Sequence, residues 1–378
     1  MSVQIGIDVL RADNYAVLRG RRVGLLTNLN AVDGDLVTTY DILRTASQVK
    51  LTAIFSPEHG LAAVAADGES VHSSVDPLTG LPIYSLYGET KAPTAEMLAD
   101  VDVIVGDIQD IGVRYYTFTW TVTHVLEAAG KAGIPVVILD RPNPLGSRVI
   151  GMPLDPRFAS LVGRFPVPTQ PGMTLGELAQ LVNARWNPTP APLSVIPCGG
   201  YRPNMLWDET GLIFVPPSPN MPHVSTVQHY PGSCLIEGTS LSEGRGTALP
   251  FEIVGAPGID GAALAKTLNA HGLAGVRFRP YSFRPTASKY VGEICGGVQA
   301  HITDAHAYQP LEVWLTVLAA IYQQQPFTWN DHFERLIGVD GVRDLIERNA
   351  PFDELFAQAR AFCTAFAQQR QPYLLYGI

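Results

Sequence analysis

Leu51-Thr52-Ala53-Ile54-Phe55, followed at once by Ser56-Pro57-Glu58-His59-Gly60, is the stretch from which the fold can be read. An apolar run of strand length ends in a proline turn, with a carboxylate and an imidazole at its tip. Three other stretches repeat the design. Residues 22–27 run into Asn28, residues 101–106 into Asp107, Gln109 and Asp110, and residues 135–139 into Asp140, Arg141 and Asn143. Unbroken apolar runs, unlike alternating ones, suit strands buried on both faces of a parallel sheet. In open sheets of that kind the ligand crevice lies beyond the carboxyl ends of the strands. Polar residues recurring at that one place make Asn28, Glu58, His59, Asp107, Gln109, Asp140 and Asn143 candidate site residues.

Helical patterns over 36–46 and 116–132 separate these runs, with a short helix expected over 94–99. Residues 81–87 and 193–197 read as further strands. Thr174-Leu175-Gly176-Glu177 fits a capping box opening a helix to about Trp186. This alternation predicts an α/β fold built on a Rossmann-like parallel sheet with right-handed crossovers. Residues 214–222 hold four prolines, which fix φ and remove donors, so a rigid irregular segment carrying Asn220 is expected there. From about residue 228 the texture becomes α+β. Helical patterns at 260–271, 310–324 and 352–369 are separated by strand-like 276–279 and 297–302. A chain of 378 residues exceeds what one core usually serves. Two domains are expected: 1–227, carrying the Glu58 turn, and a smaller 228–378 that closes a cleft.

The composition, 46% hydrophobic and 16% charged, describes a well-buried globular protein rather than a disordered one. Net charge is −9 with no basic cluster, so neither nucleic acid nor an anionic membrane surface is an expected partner. Four scattered cysteines form no C-x-x-C pair, and no run is long enough to span a membrane. Residues 1–10 lack a signal-peptide pattern. The chain as it stands reads as cytoplasmic, or exported if a leader has been removed.

Chemistry is narrowed by elimination. The first strand leads into Thr27-Asn28-Leu29-Asn30 instead of G-x-G-x-x-G, and no P-loop occurs, so no nucleotide cofactor is expected. There is no G-x-S-x-G elbow. His301 and His306 lack metal-ligand spacing, and no metal is expected. Carboxylates remain: Glu58, Asp107, Asp110 and Asp140 at strand ends, and Glu237 and Glu243 within Glu237-Gly-Thr-Ser-Leu-Ser-Glu-Gly-Arg-Gly-Thr247, where the two domains should meet. Paired carboxylates across a cleft are the machinery of glycoside hydrolysis. Tyr115, Tyr116, Trp120 and Tyr290 are available to stack on a sugar face.

These motifs carry a resemblance. The Ser56–Gly60 turn, Asp107-Ile-Gln-Asp-x-Gly-x-Arg-Tyr-Tyr-Thr, Leu139-Asp-Arg-Pro-Asn-Pro, Pro217-Ser-Pro-Asn-Met-Pro, the 237–247 motif and Pro372-Tyr-Leu-Leu-Tyr together resemble the exo-β-N-acetylmuramidase (NamZ-type) family, long described as a domain of unknown function. The resemblance covers essentially the whole chain. It implies a two-domain, metal- and NAD-independent glycosidase that releases N-acetylmuramic acid from non-reducing ends of peptidoglycan fragments, with Glu58 catalytic. Glu243, Glu237 and Asp140 are the ranked candidates for its partner. Muramic acid carries a lactyl carboxylate, which a specific site should meet with a cation; Arg245, Arg114 and Lys289 are the candidates, in that order. The alternatives are a non-catalytic muropeptide- or sugar-binding protein and a metal-dependent hydrolase.

Overall fold

The structure is a computed structural model, described over residues 2–66 and 68–377. Its larger sheet contains β1 (Arg22–Thr27), β2 (Lys50–Ser56), β3 (Ser74–Val75), β4 (Pro82–Ser85), β5 (Val103–Asp107), β6 (Val136–Leu139) and β7 (Leu193–Ile196). Their spatial order is β3-β4-β2-β1-β5-β6-β7, and only the β3–β4 pair is antiparallel. The chain winds outward from β1 through β2 and β4, then returns to lay β5 on the other side of β1. This is the doubly wound, Rossmann-like arrangement the strand runs predict.

Side chains explain why those runs are unbroken. Ile54, Val103, Val105, Val137 and Leu139 fill the apolar layer on one face. Their neighbours Ala53, Phe55, Ile104, Val136 and Ile138 fill the layer on the other. Successive residues therefore meet different helices, and neither face tolerates a polar group.

Helices α1 (Gly6–Ala12), α2 (Thr39–Thr45), α3 (Thr117–Ala132) and α4 (Leu175–Arg185) accompany the sheet. The capping box at α4 is present in both directions: the Glu177 amide donates to the Thr174 hydroxyl and the Thr174 amide to the Glu177 carboxylate. Two expected helices differ. α2 begins at Thr39 rather than 36, because Leu36 is left-handed (φ 65°) and the Asp33 carboxylate takes up the Asp35 and Val37 amides in a turn. Residues 94–99 form turns only.

Beyond α5 (Val224–Ser233) come β8 (Ile253–Ala256), α6 (Gly261–Ala270), β9 (Val276–Phe283), β10 (Cys295–Ile302), α7 (Pro310–Gln324), α8 (His332–Ile337), α9 (Val342–Glu347) and α10 (Asp353–Gln369). The second sheet is antiparallel, in the order β8-β10-β9. The apolar layer above the first sheet continues into it: Phe55, Val227, Val298, Trp314 and Phe333 belong to one buried cluster. Among the described residues no helix is long and apolar enough to cross a membrane.

Candidate active site

β2 delivers Glu58 through a tight turn. The Gly60 amide donates to the Pro57 carbonyl (3.1 Å), and His59 and Gly60 are both left-handed, at φ 69° and 75°. Glycine adopts that conformation freely, whereas for His59 it costs about 1 kcal/mol. The turn aims Glu58 inward, leaving it only 5% exposed. Its Oε2 accepts from the hydroxyl of Thr117 at 2.5 Å, and its Oε1 from the Gly68 amide at 3.3 Å. Thr117 is the first residue of α3, so the positive end of a sixteen-residue helix faces the carboxylate. His59 is fixed from behind, with Nδ1 2.8 Å from the Ala65 carbonyl and its ring edge against Phe118.

Above Glu58 lies a cleft of about 500 Å³. Glu58, His59 and Tyr116 line it from the first sheet, Ser218 and Asn220 from the proline-rich segment, Glu237 and Arg245 from the glycine-rich motif, and His332, Arg335 and Leu336 from α8. Glu237 is gripped by Arg245, whose Nε and Nη2 both donate to Oε1 (3.0 and 2.5 Å), and the same guanidinium lies 5.0 Å over the Phe251 ring. Burial pushes the Tyr116 hydroxyl well above its usual range; the Asp110 and Glu58 carboxylates act in the same direction, against the Ser218 hydroxyl. Two carboxylates, several aromatic rings and a set of cations therefore converge on one space.

Several expected site residues are held elsewhere, each by partners that account for it. Glu243 accepts from Lys289 Nζ at 3.0 Å and sits 3.5 Å from Arg245 Nε, while Lys289 also donates to the Ile236 and Leu241 carbonyls. This ion pair closes the glycine-rich loop and lies outside the cleft lining. Asp140 is fully buried beneath Thr174, Tyr376 and the Gly176 amide (2.7, 2.7 and 2.9 Å), and burial raises its carboxyl. Arg141 reaches Asp107, Nε to Oδ1 at 2.5 Å, and Thr39 donates to the other carboxylate oxygen. That group plugs the crevice between β1 and β5, the usual ligand position in this fold.

Arg114 is buried and donates to four carbonyls: Met152 and Val167 through Nη1 (2.8 and 2.9 Å), Leu336 and Ile337 through Nη2 (2.8 and 3.0 Å). Asn143 bridges the Leu145 amide and the Met173 carbonyl, and Gln109 donates to the Asp110 and Pro142 carbonyls. Asn28 turns onto the Asn30 amide, and Tyr290 packs against the core in a left-handed conformation. Of the residues singled out in the sequence, Glu58, His59, Tyr115, Tyr116, Asn220, Glu237 and Arg245 come together. Lys91, Ser160, Leu161, Val162, Tyr230, His332 and Arg335 also line the cleft. No motif marked them, because they come from loops, from α5 and from the six-residue α8, none with a strand run directly in front.

Asp110 has a different character. Burial pushes its carboxyl up to about 6, against hydrogen bonds from the Gly112 amide and the Thr119 hydroxyl. A raised carboxyl stabilises the fold in full below about pH 4 and loses that contribution as pH rises through about 6. Part of the residue reaches solvent, so the linked change is about 1–3 kcal/mol. Urea unfolding of wild type and Asp110→Asn across pH 4 to 7 should show the wild type losing that much relative to the variant. A pH-independent difference would refute the assignment.

Among the described residues, no three His, Cys, Asp or Glu side chains gather as a metal-binding group. Residues 23–225 match the family described as exo-beta-N-acetylmuramidase NamZ, N-terminal, and residues 228–376 its C-terminal counterpart. The chain belongs to the NamZ family. It is 44% identical to the peptidoglycan beta-N-acetylmuramidase NamZ of Bacillus subtilis (strain 168), over 99% of this chain and 91% of that protein. Two crystal structures of DUF1343 family proteins from Bacteroides fragilis NCTC 9343 share the NamZ-family fold seen here. One is 34% identical with a TM-score of 0.93, the other 32% identical with a TM-score of 0.83; both comparisons cover 100% of this chain and 99% of the other.

Proposed function

We propose that the protein is an exo-acting glycoside hydrolase that removes N-acetylmuramic acid from the non-reducing end of peptidoglycan fragments, in a cleft between domains 1–227 and 228–378. The observation that carries this reading is the burial of Glu58 at the base of a cleft that Glu237 also lines. Family membership and the B. subtilis relative named as a muramidase support the substrate class. A volume of about 500 Å³ suits one terminal sugar and part of its neighbour, within the range of small-molecule sites.

In this reading Glu58 protonates the departing glycosidic oxygen. The Gly68 amide fixes Oε1 as an acceptor, so the transferable proton belongs on Oε2, where the Thr117 contact reverses direction when the carboxyl is protonated. Glu237, ion-paired with Arg245, faces the positive charge that grows at the anomeric centre, and water adds to that carbon as the bond to the departing oxygen breaks. Tyr116 and Asn220 bind and orient the sugar. A defined tetrasaccharide with terminal muramic acid, followed by mass spectrometry, should yield free N-acetylmuramic acid and a trisaccharide first. Internal cleavage, or binding without product, would overturn the proposal.

A further inference from the structure

Three cations line the cleft: Lys91, Arg245 and Arg335. Arg245 is committed to Glu237, as Arg114 is to four carbonyls and Lys289 to Glu243. Arg335 is different. The residue is solvent-exposed, and among the described residues no hydrogen bond or ion pair holds its guanidinium.

Its mounting is rigid all the same. His332, Arg335 and Leu336 stand at i, i+3 and i+4 on α8, so one face of that helix is turned to the cleft. The carbonyls of Leu336 and Ile337 are clamped by the Arg114 guanidinium, which ties the end of α8 to the Met152 and Val167 carbonyls. Gly338 follows at φ +85°, and a Cβ there would lie 2.7 Å from Arg114 Nη2, so the clamp depends on a glycine at that position. The same cleft is lined by Leu336, next to Arg335 on the helix, and by Leu161 and Val162.

We infer that Arg335, with Leu336, Leu161 and Val162, reads the lactyl ether of the substrate and so sets the preference for muramic acid over glucosamine. This rests on the muramidase reading above. The lactyl group is a methyl and a carboxylate on one carbon. A cleft that holds both an unpaired guanidinium and aliphatic side chains matches both ends of it, the planar fork donating to the carboxylate in a bidentate pair. Lys91, exposed and on a loop, offers a single point charge without that fork.

The test compares wild type, Arg335→Gln and Arg335→Lys on three aryl glycosides: the muramide, its lactyl methyl ester and the N-acetylglucosaminide. Wild-type turnover of the muramide establishes the activity independently of this inference. Arg335→Gln should lower kcat/KM for the muramide by about 10–100-fold, the scale of a charge-assisted hydrogen-bonded pair. The loss should appear mainly in KM, and the glucosaminide should be unaffected. Esterification should cost the wild type a similar factor and cost Arg335→Gln nothing further, as a double-mutant cycle requires of partners in contact. Arg335→Lys should recover only part of the loss. Equal losses on all three substrates, or ester sensitivity that survives in Arg335→Gln, would assign the lactyl contact to another residue.

Discussion

Glu58→Gln should lower turnover of a muramic-acid-terminated disaccharide by about 10²–10⁴-fold while leaving the fold intact. The substitution is close to isosteric. A glutamine oxygen can still accept from the Gly68 amide, and its NH₂ group can donate to the Thr117 hydroxyl, so both observed contacts survive. What disappears is the proton. The loss should therefore depend on the leaving group. A nitrophenyl muramide, whose phenolate departs without protonation, should suffer much less than the disaccharide if Glu58 is the acid. Equal losses on both substrates would instead assign Glu58 to the anomeric carbon, and undiminished turnover of both would remove it from the reaction. Thermal melting checks that the variant is folded.

The largest expected change in stability lies at Arg114. Its side chain is charged and buried, and burial lowers it only to about 10, so it remains a cation at neutral pH. Among the described residues it has no acid partner and instead collects carbonyls from Met152 and Val167 on one side and from Leu336 and Ile337 on the other. Arg114→Met keeps most of the volume but leaves four carbonyls without that donor, two of them at the end of α8. The expected cost is about 3–5 kcal/mol, the scale for breaking a buried charged network. Arg114→Lys, with one ammonium and three donors, should recover part of it. Differential scanning calorimetry measures the loss, and hydrogen exchange over 332–337 should rise with it. A loss below 1 kcal/mol would mean that water or rearrangement satisfies those carbonyls.

The contrast between Glu58 and Arg114 shows what a sequence reveals about such a protein. The strands were legible because burial on both faces leaves unbroken apolar runs, and Glu58 because it follows one of them directly. Which polar residues at strand ends face the ligand was not legible. Asp107, Asn143 and Gln109 occupy equivalent positions to Glu58, yet α2 and Arg141 fill the crevice above β1 and β5, and the open space shifts over β2 and the start of α3. Similarly, Glu237 and Glu243 share one motif, and only three-dimensional packing turns one toward the cleft and the other onto Lys289. α8 left the weakest trace, being six residues long and far along the chain from every strand of the first sheet.

The tail that follows α10 has a consequence for how the protein comes into being. Arg370 donates to the Pro171 carbonyl, the Leu375 amide to Glu177, and the Tyr376 hydroxyl to Asp140, while that hydroxyl accepts from the Cys198 amide. Tyr376 follows Asp140 by 236 positions. At roughly 5–20 residues per second, a ribosome needs about 10–50 s to travel that far. Throughout that interval a carboxyl at the heart of the emerging sheet waits for its hydroxyl partner. The amino-terminal half is thus born without its keystone, and nascent chains stalled ahead of the tail should be preferred cargo for chaperones and early prey for proteases.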